Sequence, residues 1–319
     1  MSSRKSVGLV LGSGSSRGWA HIGAIEALEE ENIFIDYIAG CSVGAYVGAI
    51  YASGSLKSLK DFVLRMDGKK VFSYFDVVFP RSGFLNGTKK VKELFSMHTD
   101  VEDFSQLSIP VMMVATDLET GDKVVLRSGN LLHALRATMS MPGLFAPANV
   151  KGRWLVDGGL VDPVPVGIAR ALGPDVVIAV DLNSGLISRK DRKRNHKKKS
   201  GMDKNDDDRH EYKNELIKKM ADYYENAGLN LKHKINELLR KESSVPDIME
   251  TVTTSIGIMQ ERMTRINLAV EPPDILIQPR LGELKMMDFD HVEHAIEEGY
   301  SGVKRQMEDI RTLLEPDRE

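Results

Sequence analysis

Gly40-Cys41-Ser42-Val43-Gly44 fits the pattern G-x-S-x-G. In that pattern a serine on a sharp strand-to-helix turn is held in strained backbone geometry with its hydroxyl exposed, as a nucleophile requires. Gly40 and Gly44, two residues to either side, leave room for the turn and for the helix to pack. The flanks suit the motif: apolar IDYIAG precedes it and helical VGAYVGAIYA follows. A helix starting there points N–H groups and its positive dipole end at the reacting centre. The rival reading takes Gly40, Gly44 and Gly48 as a packing face of a membrane helix. It requires helix through Gly40, where the pattern is that of a strand.

Two other loops carry groups that acyl transfer would need. Gly12-Ser13-Gly14-Ser15-Ser16-Arg17-Gly18 lies between an apolar run and a helical one. Successive backbone N–H groups in such a loop can donate to a developing oxyanion. Arg17 adds a positive charge. The loop is not a P-loop, because no Gly-Lys-Ser/Thr follows it. A dinucleotide fingerprint would need glycine where Arg17 stands, and its ribose-binding acid should end a strand, whereas Asp36 begins one. Nucleotide binding is therefore the weaker alternative. Asp157-Gly158-Gly159 follows the strand-like RWLV, which places a carboxylate at a strand end beside two glycines.

A Ser-His-Asp triad finds no histidine. After Asp157 three of the eight histidines fall in a charged stretch and two, His291 and His294, on a final amphipathic helix. His21, near the start of the first helix, reads as packed or solvated. The expected machinery is a dyad, with Ser42 as nucleophile and Asp157 as base. An ordinary aspartate near pKa ~4 is a weak base, and burial would raise it.

The elements that must position these residues alternate. Val7–Gly12, Ile35–Ala39, Pro110–Thr116, Lys123–Arg127, Arg153–Val156, Val176–Val180 and Asp274–Gln278 read as strands. Trp19–Glu31, Val43–Ser53, Leu56–Met66, Leu131–Met139 and Val164–Leu172 read as helices. Ile248, Val252, Ile256, Met259, Met263 and Ile266 recur every three or four residues and predict a core-facing helix; Phe289–Leu314 is a last amphipathic one. This alternation predicts an α/β fold with a mainly parallel sheet covered on both faces. Residues 1–183 form the expected core and 247–319 complete it. Residues 184–246 form a charged, partly disordered surface insertion, within which Tyr212–Lys241 has the composition of an exposed helical arm. Met112, Met113, Met139 and Met141 flank the expected cleft and are candidates for an acyl pocket.

Composition sets the bounds. The chain has 319 residues, 42% hydrophobic and 28% charged, an ordinary globular balance. A net charge of −3 argues against a nucleic-acid-binding domain. Cys41 is the single cysteine, so intrachain disulfides and thiolate-rich zinc sites are excluded. Tyr37–Leu56 carries no charge over twenty residues, but its Gly/Ser turn favours buried strand plus helix over a membrane span. The apolar run near the N-terminus is too short for a signal peptide. The expectation is a soluble cytoplasmic protein. The basic run Arg189–Lys199 is a candidate for peripheral contact with anionic lipid, against the plainer reading of a solvated loop.

LGSGSSRGWAHIG, AGCSVG and LVDGG, in that order, resemble the motifs of the patatin-like phospholipase family. ATMSMPGLFAP, VDPVPV, VIAVDL and EPPDILIQP resemble its bacterial RssA-like branch. The resemblance implies a three-layer α/β/α sandwich and hydrolysis of acyl esters, usually of lipids, without metal or other cofactor. It makes Ser42 the nucleophile, Asp157 the base, and Gly14, Ser15, Ser16 and Arg17 the oxyanion loop, with Gly12, Gly18, Gly40, Gly44, Gly158 and Gly159 as motif glycines. Ser13 and Ser15 interrupt the family's usual glycine run, and a positive φ at either would cost about 1 kcal/mol or more. A regulatory or binding protein on the same fold, with weak or no turnover, is the alternative that this departure keeps open.

Overall fold

Short apolar runs with no room for surface residues build the centre of the molecule. The computed structural model describes residues 4–65, 88–185, 248–284, 286, 288–289 and 291–315. Eight strands form one sheet: β1 (Val7–Leu11), β2 (Tyr37–Cys41), β3 (Val111–Asp117), β4 (Lys123–Leu126), β5 (Ala148–Val150), β6 (Arg153–Asp157), β7 (Val176–Val180) and β8 (Ile275–Ile277). The order runs β5-β6-β3-β2-β1-β7-β8, with β4 also paired to β3. The pairs among β3, β2, β1, β7 and β8 are parallel, and those of β4, β5 and β6 are antiparallel.

The register around β3 decides where the chemistry can sit. β2 pairs with Val111–Val114 of β3, and β6 with Ala115–Asp117. β4 pairs with Met113–Thr116 and so overlaps both. A strand has two hydrogen-bonding edges, so β2 and β6 must share the edge that β4 leaves. They lie end to end on it and run toward each other. Cys41, the last residue of β2, stands opposite Val114, and Asp157, the last of β6, stands opposite Ala115.

Helices cover both faces, as full burial of β1, β3 and β7 requires. They are α1 (Ala20–Glu30), α2 (Val43–Ala52), α3 (Leu56–Leu64), α4 (Thr88–Ser96), α5 (Leu131–Thr138), α6 (Val166–Arg170), α7 (Ile248–Val270), α8 (Val292–Lys304) and α9 (Met307–Leu314). Leu9, Leu11, Ile38 and Met113 pack with α1, α2, α3 and α8 on one face. Val10, Ala39, Met112 and Val114 pack with α6 on the other, joined by the half-buried Leu268 of α7. The three-layer α/β/α sandwich follows from this alternation. It also separates Met112 from Met113, so one acyl pocket cannot use both. The uncharged stretch Tyr37–Leu56 resolves into β2, α2 and the start of α3. Among the described residues no helix is long and apolar enough to cross a membrane.

The chain divides into two compact units, Met1–Ser188 with Val252–Glu319, and Arg189–Thr251. The basic run Arg189–Lys199 and the stretch Tyr212–Lys241 lie outside the described residues.

Three expectations change. The first helix is preceded by a 3-10 turn, Ser15–Trp19, so the glycine loop feeds a tight turn before α1. The last helix breaks at Arg305–Gln306 into α8 and α9. The largest change concerns α7: Met259 is 51% exposed and Ile266 58%, whereas Gln260, Glu261 and Thr264 are buried. Ile256 is buried as expected, but Met259 and Ile266 face outward, so the apolar periodicity does not mark the buried side. The buried side of α7 meets the polar loops around Asp157, where a polar contact surface fits better than an apolar one.

Candidate active site

Ser42 sits between β2 and α2 with φ 55° and ψ −123°, a conformation that a residue with a Cβ adopts only when its surroundings enforce it. Tight contacts enforce it here. A Cβ on Gly40 would stand 2.5 Å from the Ala45 Cα, and one on Gly44 would overlap the Leu11 carbonyl. The turn is also tied from outside: the Ser42 N–H donates to Thr138 Oγ1 (2.9 Å), and that hydroxyl donates to the Val114 carbonyl (2.5 Å).

The side chain of Ser42 reaches across the junction of β2 and β6. Its hydroxyl donates to Asp157 Oδ2 at 2.6 Å. The other oxygen, Oδ1, accepts the Gly159 N–H at 2.7 Å. The Asp157 backbone is fixed as well: its N–H donates to the Ser140 carbonyl (3.0 Å), and its carbonyl accepts from Thr116 Oγ1 (2.8 Å). Burial pushes the Asp157 carboxyl up to about 6, although the bonds from Ser42 and Gly159 pull it down. A Cβ on Gly158 would overlap the Val114 carbonyl, so glycine lets the chain turn directly over β3.

The glycine loop lies at the end of β1. Gly12 donates its N–H to the Val180 carbonyl (3.0 Å), and its own carbonyl faces His21 Nε2 at 2.7 Å. Burial lowers His21 to about 4, so the ring is neutral and serves as packing. Ser13 is anchored through its N–H to Pro163 and through its oxygens to the Asn183 amide. Ser15 adopts φ 52°, the left-handed region that a glycine would occupy without cost. The Ser16 N–H donates to the Met286 carbonyl (3.3 Å) and the Arg17 N–H to the Gly14 carbonyl (3.2 Å). Gly14 and Ser15 therefore keep N–H groups without an acceptor among the described residues.

Arg17 is buried and turns its guanidinium onto backbone: Nε donates to the Gly14 carbonyl (3.2 Å) and Nη1 to the Leu182 carbonyl (2.9 Å). Burial lowers it to about 10, against the pull of Asp181, Asp288 and Glu261, so it stays charged at neutral pH. Its geometry is that of a loop brace. Gly18 lies against Val43, the first residue of α2, which brings the glycine loop onto the start of that helix.

Two residues outside the three motifs complete the assembly. Thr138 and Ser140, at the end of α5, hold Ser42 and Asp157 respectively, so one turn of chain fixes both. Arg136 braces that turn by donating to the Ser140 hydroxyl and to the Ala146 carbonyl. In sequence they are a threonine and a serine in ATMSMPG, with no spacing signal that ties them to residue 42 or 157. Among the described residues no cluster of His, Cys, Asp or Glu could hold a metal ion; His294 instead faces Glu283.

The patatin-like phospholipase family model matches residues 9–170, just over half of the chain and a span that holds all three motifs. An uncharacterized NTE family protein of Mycobacterium bovis is 39% identical over 182 residues, which are 57% of this chain and 50% of that protein. A lysophospholipase of Neurospora crassa is 36% identical over 187 residues, 56% of this chain and 12% of that much longer one. The chain thus matches half or less of the length of these relatives. Among solved structures, VipD from Legionella pneumophila aligns with 96% of this chain and 67% of its own, at 13% identity and a TM-score of 0.47. The chain belongs to the patatin-like phospholipase family.

Proposed function

We propose that this protein is a serine hydrolase of carboxylic esters that acts on lipids, lysophospholipids among them. The observation that carries the reading is the 2.6 Å hydrogen bond from the Ser42 hydroxyl to a buried carboxylate. Asp157 accepts the hydroxyl proton as Ser42 Oγ attacks the ester carbonyl. The developing oxyanion takes hydrogen bonds from the unengaged N–H groups of Gly14 and Ser15. Collapse of the tetrahedral intermediate expels the alcohol, which takes the proton from Asp157, and leaves an acyl-Ser42 ester. Water, deprotonated by the same carboxylate, then releases the acid and restores the serine.

The raised Asp157 suits both directions of this transfer. A carboxyl near 6 is ionised at neutral pH and is a better base than an ordinary aspartate. Family membership and the lysophospholipase among the relatives support lipid esters as the substrate class. The basic run Arg189–Lys199 is the candidate for peripheral contact with anionic lipid at the cytoplasmic face, each basic residue contributing about 1 kcal/mol near such a surface. The test is hydrolysis of esters of graded chain length by wild type, Ser42→Ala and Asp157→Asn. Loss of turnover in both variants, with the fold retained, is expected. Full turnover in Ser42→Ala removes the proposal.

A further inference from the structure

From Ile258 to its end, α7 exposes what a surface helix ordinarily buries. Gln260, Glu261 and Thr264 are buried, while Ile258 (41%), Met259 (51%), Ile266 (58%) and Val270 (76%) are open to solvent. At helical spacing Met259, Ile266 and Val270 make one row, and Ile258, Arg262 and Arg265 make the row beside it. Four large apolar side chains and two guanidinium groups thus share one outward arc. Among the described residues of this stretch no carboxylate joins them: Glu261 lies buried on the flank, where it accepts from Arg265. Glu271, just past the helix, turns its carboxylate onto Gly167 of α6. The inner side carries Gln260, whose amide lies against Gly159, two residues from Asp157. The arc is therefore the outside of the element that covers the loop of Asp157.

An apolar strip whose only charges are cations, on a chain of net charge −3, is complementary to a surface that is both anionic and apolar. Pairing with the same face of a second copy would set arginine against arginine. We propose that this arc is an interfacial docking surface, by which α7 lies in the plane of an anionic bilayer. Met259, Ile266 and Val270 enter the boundary of the acyl chains, and Arg262 and Arg265 reach the headgroup phosphates along their apolar stems. The choice of lipid as occupant rests on the esterase reading above; the composition of the arc does not. Docking in this way sets the loop of Asp157 about 10 Å from the lipid, one helix diameter. It also differs in kind from contact through Arg189–Lys199, because salt screens a basic run and leaves apolar burial in place.

The test is co-sedimentation of the full chain with vesicles of equal parts phosphatidylcholine and phosphatidylglycerol. Wild type is expected to bind, and the double variant Met259→Asp, Ile266→Asp to bind at least about tenfold more weakly. Met259→Trp should bind more tightly than wild type, a gain that misfolding cannot imitate. Arg262→Gln should weaken binding to these vesicles and leave binding to pure phosphatidylcholine unchanged. Fluorophosphonate labelling of Ser42 should proceed at the wild-type rate in every variant, because the arc faces away from the dyad. A wild type that labels at Ser42 and stays in the supernatant overturns the docking surface and leaves the esterase reading in place. A protein that never labels yet binds through the arc overturns the esterase reading and upholds the surface, and one that does neither overturns both. Equal binding by wild type and the double variant, or binding abolished only by neutralising Arg189–Lys199, overturns the surface. A dimer in vesicle-free solution that the double variant dissolves assigns the arc to a second copy and overturns it as well.

Discussion

Replacing Asp157 with asparagine should make the protein more stable while removing its reactivity. The folded carboxyl is raised from 3.8 to about 6, chiefly by burial. Each pH unit of difference between folded and unfolded states is worth about 1.4 kcal/mol, so the rise amounts to about 3 kcal/mol. The sign follows from which state binds the proton more tightly. Below about pH 4 both states are protonated and the carboxyl costs nothing. Between about pH 4 and pH 6 the unfolded chain ionises first, and wild-type stability falls as pH rises. Above about pH 6 the full penalty is present. An asparagine side chain at this position would not titrate, and its carbonyl oxygen can still accept the Gly159 N–H. Denaturant unfolding of both proteins from pH 4 to pH 8 should show Asp157→Asn gaining on wild type across that window, by up to about 3 kcal/mol at the upper end. All other carboxylates are common to the two proteins and cancel in the difference. A difference that stays flat with pH, or an Asp157→Asn variant less stable than wild type at pH 8, would refute the reasoning.

The same carboxyl fixes the pH dependence of the reaction: the rate of Ser42 phosphonylation should fall about tenfold per pH unit below about 6 and level off above it, read by stopped-time labelling. Thr138→Val leaves the Ser42 N–H without its acceptor and should cost about 2 kcal/mol of stability and slow labelling at least about tenfold, with Thr138→Ser close to wild type in both. Ser15→Gly removes a left-handed serine and should stabilise the protein by up to about 1 kcal/mol, measured as a raised unfolding midpoint.

The central strands were legible because full burial on two faces leaves short, uniformly apolar runs such as VGLVL and VVIAV, which little else produces. The turn at Ser42 was legible because glycines at fixed offsets mark where backbone must approach backbone, as Gly44 approaches Leu11. The meeting of β2 and β6 was not, since it follows from the register of each with β3, and pairing register between strands far apart in sequence leaves no local trace. Thr138 and Ser140 were hidden for the same reason: their roles exist only once α5 ends beside both strand tips. The orientation of α7 misled because periodicity reports which residues share a face and not which face is buried. Ile256 does go inward, yet Met259 and Ile266 point to solvent because Gln260 and Thr264 meet the loops instead. Arg17 reads in sequence as a charge beside the oxyanion, and only the fold shows its guanidinium bound to Gly14 and Leu182.

The pairing of Ser42 with Asp157 is tested most directly by treating the intact protein with a fluorophosphonate and locating the adduct by mass spectrometry. One adduct per chain on the peptide carrying Ser42, absent in Ser42→Ala and strongly slowed in Asp157→Asn, is the predicted result. Labelling on another residue, or undiminished labelling of Ser42 in Asp157→Asn, would contradict it.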